Sequence, residues 1–200
     1  MVKPDRMIVG VSGASGIIYG IRAMEALKAL GVETHLVASK AAEMTLGYET
    51  EFSIKDFRAK ADHVYKMPDV GAPIASGSFA TRGMLIAPCS VKTMSEIATG
   101  VTSSLLTRAA DVVLKERRLL VLMVRETPFH LGHLRTMTQL TEMGAVILPL
   151  FIVFIVLGSI FGGFAMVLTV MIPSRRIFGL EGYITDYHFE NMSRFILFTS

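Results

Sequence analysis

Cysteine is almost missing from this sequence, since Cys89 is the single cysteine among 200 residues. One cysteine excludes an internal disulfide framework and fits a reducing compartment. A strong excess of one charge is also missing, because the net charge is +3 and basic residues are interspersed with acidic ones. We therefore expect no nucleic-acid partner, since such a partner requires a concentrated basic stripe.

The amino terminus lacks the features of a secretory signal. Its sequence, MVKPDRMIVGVSG, contains no apolar run that ends at a small-residue cleavage site. Residues 7–11 instead have the length and composition of a buried first strand. We therefore expect residues 1–149 to be cytoplasmic.

Charge is absent from one long segment, residues 150–172. A helix of this length would measure about 35 Å, enough to cross a hydrocarbon core of roughly 30 Å. Pro173 would end the helix, and Arg175 and Arg176 follow as a cytoplasmic anchor. We expect a domain boundary between residues 149 and 150, and membrane contact through 150–172. A very apolar core helix is the alternative.

Strands and helices alternate before this segment. Apolar runs predict strands at 7–11, 34–38, 84–87, 119–124 and 145–148. Periodicity and capping serines predict helices at 16–30, 40–46, 54–60, 90–99, 105–117 and 131–143. Proline and glycine make 62–78 a predicted loop. This alternation predicts an α/β fold, a doubly wound parallel sheet with right-handed crossovers.

A glycine-rich turn joins the first strand to the first helix. From Gly10 to Gly16 it follows G-x-x-G-x-x-G, which differs from the dinucleotide pattern G-x-G-x-x-G. Backbone N–H groups at the positive end of a helix bind phosphate. The second strand ends at Ser39, and not at an acidic residue that would bind a ribose hydroxyl. These features favour a mononucleotide such as FMN over NAD, and a purely structural turn is the alternative.

Two further polar turns follow predicted strands. The carboxyl ends of parallel strands form one crevice, so Gly13–Ser15, Ser39 and Ser90–Thr93 should converge there. Simple helix capping is the alternative for Ser39 and Ser90. Cys89, beside the second of these turns, has no evident histidine partner, and we interpret it as a small buried filler.

Arg125 and Glu126 end the next strand, where charges are costly to bury unless they are paired or functional. Arg125 is suited to bind a phosphate with two hydrogen bonds, and Glu126 to transfer a proton. A structural ion pair is the alternative. His130 and His133 lie three residues apart without an evident third ligand, so we predict no metal site.

Four segments together resemble the UbiX/Pad family of flavin prenyltransferases. They are GVSGASGIIYG, APIASGSFATRGMLIAPCSVKT, LLTRAADVVLKERRLLVLMVRETPFHLGHL and GAVILP. The resemblance covers about residues 5–149. It implies a flavodoxin-like (Rossmann-like) flavoprotein that forms a homo-oligomer, a dodecamer in most members.

The resemblance also implies an activity: attachment of a dimethylallyl group to reduced FMN, the prenyl acceptor. The flavin N5 would displace phosphate from dimethylallyl phosphate, and the prenyl unit would then close onto C6. The family needs no metal for this reaction. The prenylated FMN would serve a UbiD-type decarboxylase, often in ubiquinone synthesis.

Functional residues of the family carry over by motif. Ser15 and Glu126 would assist proton transfer. Arg108 and Lys115, with Arg125, would form the positive pocket for the substrate phosphate, and residues 72–79 would line the prenyl side. The FMN contacts would come from Gly13, Ala14, Ser15, Ser39, Ser90, Val91, Lys92, Thr93 and Arg125.

The resemblance stops at Pro149. The family continues with a segment like P-x-P-A-F-Y-H-x-P and a charged helix, whose Tyr and Arg bind dimethylallyl phosphate. Those positions fall at Ile155 and near Met171 here, so we expect FMN binding to persist and turnover to be impaired.

The last part of the chain, residues 159–200, resembles a fragment of a NrfD-like membrane subunit. A foreign segment at 150–200 would make the chain a chimera, produced by gene fusion or frameshift. The alternative function is therefore a membrane-tethered FMN-binding or respiratory-complex-associated protein without prenyltransferase turnover.

Overall fold

The computed structural model describes residues 5–150, which contain one sheet of six parallel strands. The strands are β1 Arg6–Val11, β2 Glu33–Ala38, β3 His63–Tyr65, β4 Gly83–Cys89, β5 Leu119–Val124 and β6 Ala145–Ile147. The α-helices of this part of the chain are α1 Ile17–Ala29, α2 Lys40–Glu49, α3 Ile54–Arg58, α4 Val91–Ala98, α5 Leu105–Lys115 and α6 Leu131–Glu142.

The strand order is β3-β2-β1-β4-β5-β6, which confirms the predicted doubly wound sheet. From β1 the chain builds outward through β2 and β3, and from β4 it builds in the opposite direction. In such sheets ligands bind outside the carboxyl ends of the strands where the direction reverses. The crevice of interest therefore lies where β1 and β4 end.

Each face of the sheet has its own apolar core, because successive side chains of a strand point to opposite faces. Val9 and Val11 of β1 pack with α1, α2 and α3. Ile8 belongs to the other core, which contains α4, α5 and α6. The buried α1 residues Ile17 and Ile21 are one helical turn apart, so the predicted amphipathic stripe fixes how α1 docks.

The structure corrects the prediction that 62–78 is entirely a loop. Residues His63–Tyr65 form β3, which pairs in parallel with β2. This strand was missed because it has three residues and its neighbourhood is rich in proline and glycine. Helix α1 begins at Ile17, one residue later than predicted, since Gly16 has a left-handed φ of 101°.

Several predictions concern residues outside the described range. They are the long apolar helix at 150–172, the membrane contact, the resemblance to a NrfD-like fragment and the positions Ile155 and Met171; the boundary at 149/150 falls at the end of the described range. Each stays a prediction. Between residues 5 and 150, no helix combines the length and hydropathy that crossing a bilayer requires.

Candidate active site at the carboxyl ends of β1 and β4

The turn between β1 and α1 requires glycine at two positions. Gly16 has a φ of 101°, a left-handed conformation that other residues rarely adopt. A Cβ on Gly13 would lie 2.4 Å from the Cβ of Ala41, near the start of α2. Gly13 and Ser15 are exposed, and Ala14 is partly buried. A ligand can approach this backbone closely.

Buried Ser12 joins the turn after β1 to the turn after β4. Its hydroxyl donates to the carbonyl oxygen of Pro88 at 3.0 Å and accepts from the N–H of Ser90 at 2.7 Å. The backbone N–H of Ser12 also donates to Pro88, at 3.2 Å. Sequence analysis did not single out Ser12, because its partners are 76 and 78 residues away. The two turns form one hydrogen-bonded unit.

Ser39 and Ser90 both cap helices. Ser39 Oγ accepts from the N–H of Ala42 at 3.0 Å, and Ser90 Oγ accepts from the N–H of Thr93 at 3.3 Å. The N–H of Ser39 donates to Val11, the last residue of β1. The capping alternative is thus confirmed for both serines. Each still lies at the predicted crevice, where its oxygen can make one further contact.

The remaining residues of the second turn differ in exposure. Thr93 is buried, and its hydroxyl accepts from Ser90 Oγ at 3.1 Å. Val91 is partly buried against the core that contains α4. Lys92 is exposed and lies 3.9 Å from Glu96, a separation too long for strong pairing. Lys92 is therefore an exposed and weakly paired cation beside this turn.

Glu49 is a residue of the site that sequence analysis missed. One of its carboxylate oxygens accepts from the N–H groups of Gly16 and Ile17, at 2.8 and 3.1 Å. These two N–H groups, at the positive end of α1, are thus already hydrogen-bonded. Fewer donors remain for the phosphate that this end was predicted to bind. A phosphate must use the donors of Gly13–Ser15 or displace the carboxylate. Glu49 ends α2 and lies 33 residues from Gly16, so no local pattern reveals it.

Arg125 and Glu126 follow β5, next to the end of β4. The N–H of Arg125 donates to the carbonyl of Cys89 at 3.1 Å. Burial raises the pKa of Tyr19, and the positive charge of Arg125 partly offsets this, which places the guanidinium near α1. Glu126 accepts from the N–H of Thr127 at 3.1 Å. Among residues 5–150 no ion pair joins Arg125 to Glu126, so the structural ion-pair alternative is wrong.

Arg108 and Lys115 lie near the two ends of α5. Arg108 pairs with Asp111 at 2.8 Å, and Lys115 pairs with Glu116 at 2.6 Å. Lys115 ends α5 just before β5 begins, at the amino edge of the sheet. Ser15 lies at the carboxyl edge. Within one chain the structure therefore does not bring Lys115 to the predicted phosphate pocket.

Two other sequence interpretations concern Cys89 and the histidine pair. Cys89 is fully buried, and burial raises the pKa of its thiol to about 12. It is the buried filler that we predicted, and not a thiolate nucleophile. His130 caps α6, since its Nδ1 accepts from the N–H groups of Gly132 and His133.

Comparison with known proteins places the chain in a family. The model of the Flavoprotein family matches residues 1–170. The UbiX flavin prenyltransferase of Thauera aromatica is 62% identical over 144 residues, which are 72% of this chain and 74% of that protein. The chain belongs to the UbiX flavin prenyltransferases. The Escherichia coli K12 member is 60% identical over 145 residues, 72% of this chain and 77% of its own.

Solved structures of the family agree. A UbiX structure in complex with FMN and dimethylallyl pyrophosphate has a TM-score of 0.72 at 50% identity, covering 72% of this chain and 77% of that chain. A dodecameric FMN-dependent UbiX-like decarboxylase from Escherichia coli O157:H7 has a TM-score of 0.71 at 46% identity, covering 72% and 78%. The relatives named here support the resemblance to UbiX flavin prenyltransferases. None of them supports the resemblance of residues 159–200 to a NrfD-like subunit.

Proposed function

We propose that the chain transfers a dimethylallyl group from dimethylallyl phosphate to reduced FMN. The observation that carries this proposal is the crevice at the carboxyl ends of β1 and β4. The chain that forms it is 62% identical to a UbiX flavin prenyltransferase. Ser12 ties its two turns together, and Arg125 lies at its edge. A related structure holds FMN together with dimethylallyl pyrophosphate, which carries the same dimethylallyl group as the proposed substrate.

The crevice fits a flavin mononucleotide. Gly13 is exposed and carries no side chain, so a flat ring or a phosphate can approach the turn closely. Ser39 and Ser90 present capping hydroxyls. We assign the FMN contacts to Gly13, Ala14, Ser15, Ser39, Ser90, Val91, Lys92, Thr93 and Arg125. When bound and reduced, the flavin supplies the nucleophilic nitrogen and carbon that accept the prenyl group.

The protein's own contribution is electrostatic and positional. Arg125 is partly buried, and no carboxylate among residues 5–150 forms an ion pair with it. Its guanidinium is thus available to stabilise negative charge on the departing phosphate. Ser15 is exposed beside the turn, and Glu126 is partly buried next to Arg125. We assign these two residues to proton transfer.

Lys115 completes the phosphate pocket only if another copy of the chain supplies it, and Arg108 lies on the same helix. Lys115 lies at the sheet edge opposite to Ser15, and both cations lie on the surface of α5. A relative of this chain is dodecameric. We therefore assign both residues to a contact between copies in a homo-oligomer.

The product and the cellular context follow from the same chemistry. Prenylated FMN would pass to a UbiD-type decarboxylase. A reducing, cytoplasmic location for residues 1–149 is supported by the unpaired, buried Cys89. We still expect the segment that begins at residue 150 to impair turnover, because it replaces the family's substrate-binding Tyr and Arg.

The test uses the full chain, purified in detergent, with reduced FMN and dimethylallyl phosphate under anaerobic conditions. Mass spectrometry of the extracted flavin should detect prenylated FMN. Arg125→Met should lower the rate by about 100-fold, as expected for the loss of a charge that stabilises the transition state. Arg22→Met is the matched control, because Arg22 is an exposed arginine of α1 that pairs with Glu25.

Two results would overturn the proposal. One is tightly bound FMN that stays unmodified in the presence of dimethylallyl phosphate, which favours the alternative of a flavin-binding protein without turnover. The other is an equal loss of rate in Arg125→Met and Arg22→Met. A rate equal to that of other UbiX enzymes would instead contradict the expected impairment by the carboxyl-terminal segment.

A further inference from the structure

Three side chains that commonly bind metals meet on β2 and β3, toward the amino ends of these strands and away from the crevice. The register of the sheet places His35 opposite His63. Glu33 precedes His35 by two residues, so both side chains lie on the same face of the strand. The backbone of the sheet therefore fixes all three positions.

The ligand atoms of this Glu33–His35–His63 cluster converge. His63 Nε2 lies 2.9 Å and His35 Nε2 lies 3.2 Å from the same oxygen of Glu33, Oε1. All three ligand atoms lie within 4.8 Å of one another. The two imidazole rings are stacked, with centroids 4.7 Å apart and planes at 11°. A cation placed among these atoms needs only small side-chain movements.

His35 is the strongest indication of a ligand. It is 2% exposed, and its Nδ1 forms a 3.0 Å hydrogen bond with the hydroxyl of Tyr65. Its Nε2 is buried and, within residues 5–150, is not aligned for a hydrogen bond, although Glu33 Oε1 is close. A buried polar atom without a well-aligned hydrogen bond is costly, so such atoms call for an explanation. This one points into the cluster.

We propose that Glu33, His35 and His63 bind a Zn²⁺ ion. Two imidazole nitrogens and one carboxylate oxygen form a donor set that suits zinc, and a fourth position remains for water. That position faces solvent, because the side chain of His63 is 52% exposed. The prediction that prenyl transfer needs no metal is unaffected, since the cluster is remote from the crevice.

Neighbouring groups already orient the ligands. Arg6 Nε donates to the other oxygen of Glu33, Oε2, at 3.0 Å, which leaves Oε1 for the metal. Tyr65 fixes the orientation of the His35 ring. Such supporting hydrogen bonds are typical of metal sites and raise their affinity. The charge of Arg6 opposes the metal, and its pairing with Glu33 reduces this repulsion.

A bound ion would hold β3 on the sheet. Strand β3 has three residues and lies at the edge, where β2 is its sole neighbour in the described sheet. A metal bridge between β2 and β3 adds a link that the native state has and the unfolded chain lacks. Binding to the native state alone raises the unfolding temperature as the metal concentration rises.

The test titrates metal-free, tag-free full chain with Co²⁺ as a spectroscopic probe, followed by displacement with Zn²⁺. One equivalent of Co²⁺ should give visible absorption bands that Zn²⁺ removes. His63→Ala should weaken binding by at least about tenfold, and Glu33→Gln should do the same. His63 is exposed, so its removal leaves the core intact, and circular dichroism verifies folding.

The double variant His130→Ala and His133→Ala is the control, because it removes the other histidine pair among the described residues. It should bind Co²⁺ like the unmodified chain and show the same Zn²⁺-dependent rise in unfolding temperature. The proposal fails if the unmodified chain gives no Co²⁺ bands. It fails equally if His63→Ala and Glu33→Gln bind as tightly as the control.

Discussion

The contact between α1 and β4 at Gly20 leads to a prediction that opposes helix propensity. Gly20 is buried inside α1, and a Cβ there would lie 2.4 Å from the carbonyl oxygen of Ala87 in β4. Real atoms do not approach so closely, and the obstacle is backbone of a central strand. Gly20→Ala must therefore push α1 away from the sheet.

The expected change in the free energy of unfolding of Gly20→Ala is the difference between two opposing effects. Replacing glycine by alanine inside a helix gains about 1 kcal/mol from propensity. Overpacking a core costs about 1–3 kcal/mol, and a rigid backbone obstacle puts Gly20 at the upper end. We expect Gly20→Ala to lower the free energy of unfolding by about 1–2 kcal/mol. For a chain of this size the unfolding temperature should fall by roughly 2–4 °C per kcal/mol.

Gly47→Ala is the matched control. Gly47 lies inside α2, and a Cβ there would meet nothing within 4 Å. Gly47→Ala should therefore show only the gain in helix propensity, which raises the free energy of unfolding by about 0.5–1 kcal/mol. Urea unfolding followed by circular dichroism measures both variants. The reasoning is refuted if Gly20→Ala is as stable as the original chain, or if both substitutions change stability in the same direction.

Two further predictions concern buried and partly buried hydrogen bonds. Ser12→Ala should lower the free energy of unfolding by about 1–3 kcal/mol, because the N–H of Ser90 loses its acceptor. The substitution should also weaken FMN binding, which fluorescence measures. An unchanged FMN affinity would contradict the coupling of the two turns. Hydrogen bonds from the N–H and the hydroxyl of Thr34 hold the pKa of Asp62 below its ordinary value. A depressed carboxyl pKa stabilises the fold above the unfolded pKa, and this contribution is lost as the pH falls through the folded value. Asp62→Asn should therefore lower the unfolding temperature at pH 7, and the difference should begin to shrink only as the pH falls below about 4, where the carboxyl becomes protonated; a difference that is constant with pH would show that charge is not involved.

The sequence was most informative where structure is local. The strand Leu119–Val124 was predicted to the residue, and Ser39 caps the helix that was predicted to follow it. Apolar periodicity and capping depend on neighbours within a few residues, so a single sequence reveals them. Strand β3 was missed, since it depends on pairing with β2 and its own three residues carry no alternating pattern.

The candidate site divides in the same way. The glycine-rich turn, Ser90 and Arg125 were found because each follows a strand, and strand ends of a parallel sheet share one edge. Glu49 and Ser12 were missed, because their partners lie far away along the chain. The Glu33–His35–His63 cluster was missed for the same reason, since it depends on the register of two strands.

By itself, the sequence determined the alternation of strands and helices, the parallel sheet and the family, because these follow from local pattern and from long matching motifs. Only the tertiary structure decided which groups meet. It placed Glu49 on the amide groups of Gly16 and Ile17, and it separated Lys115 from Ser15 within one chain. The physical reason is that hydrogen bonds and ion pairs act over about 3–4 Å, and only folding brings distant residues within that range.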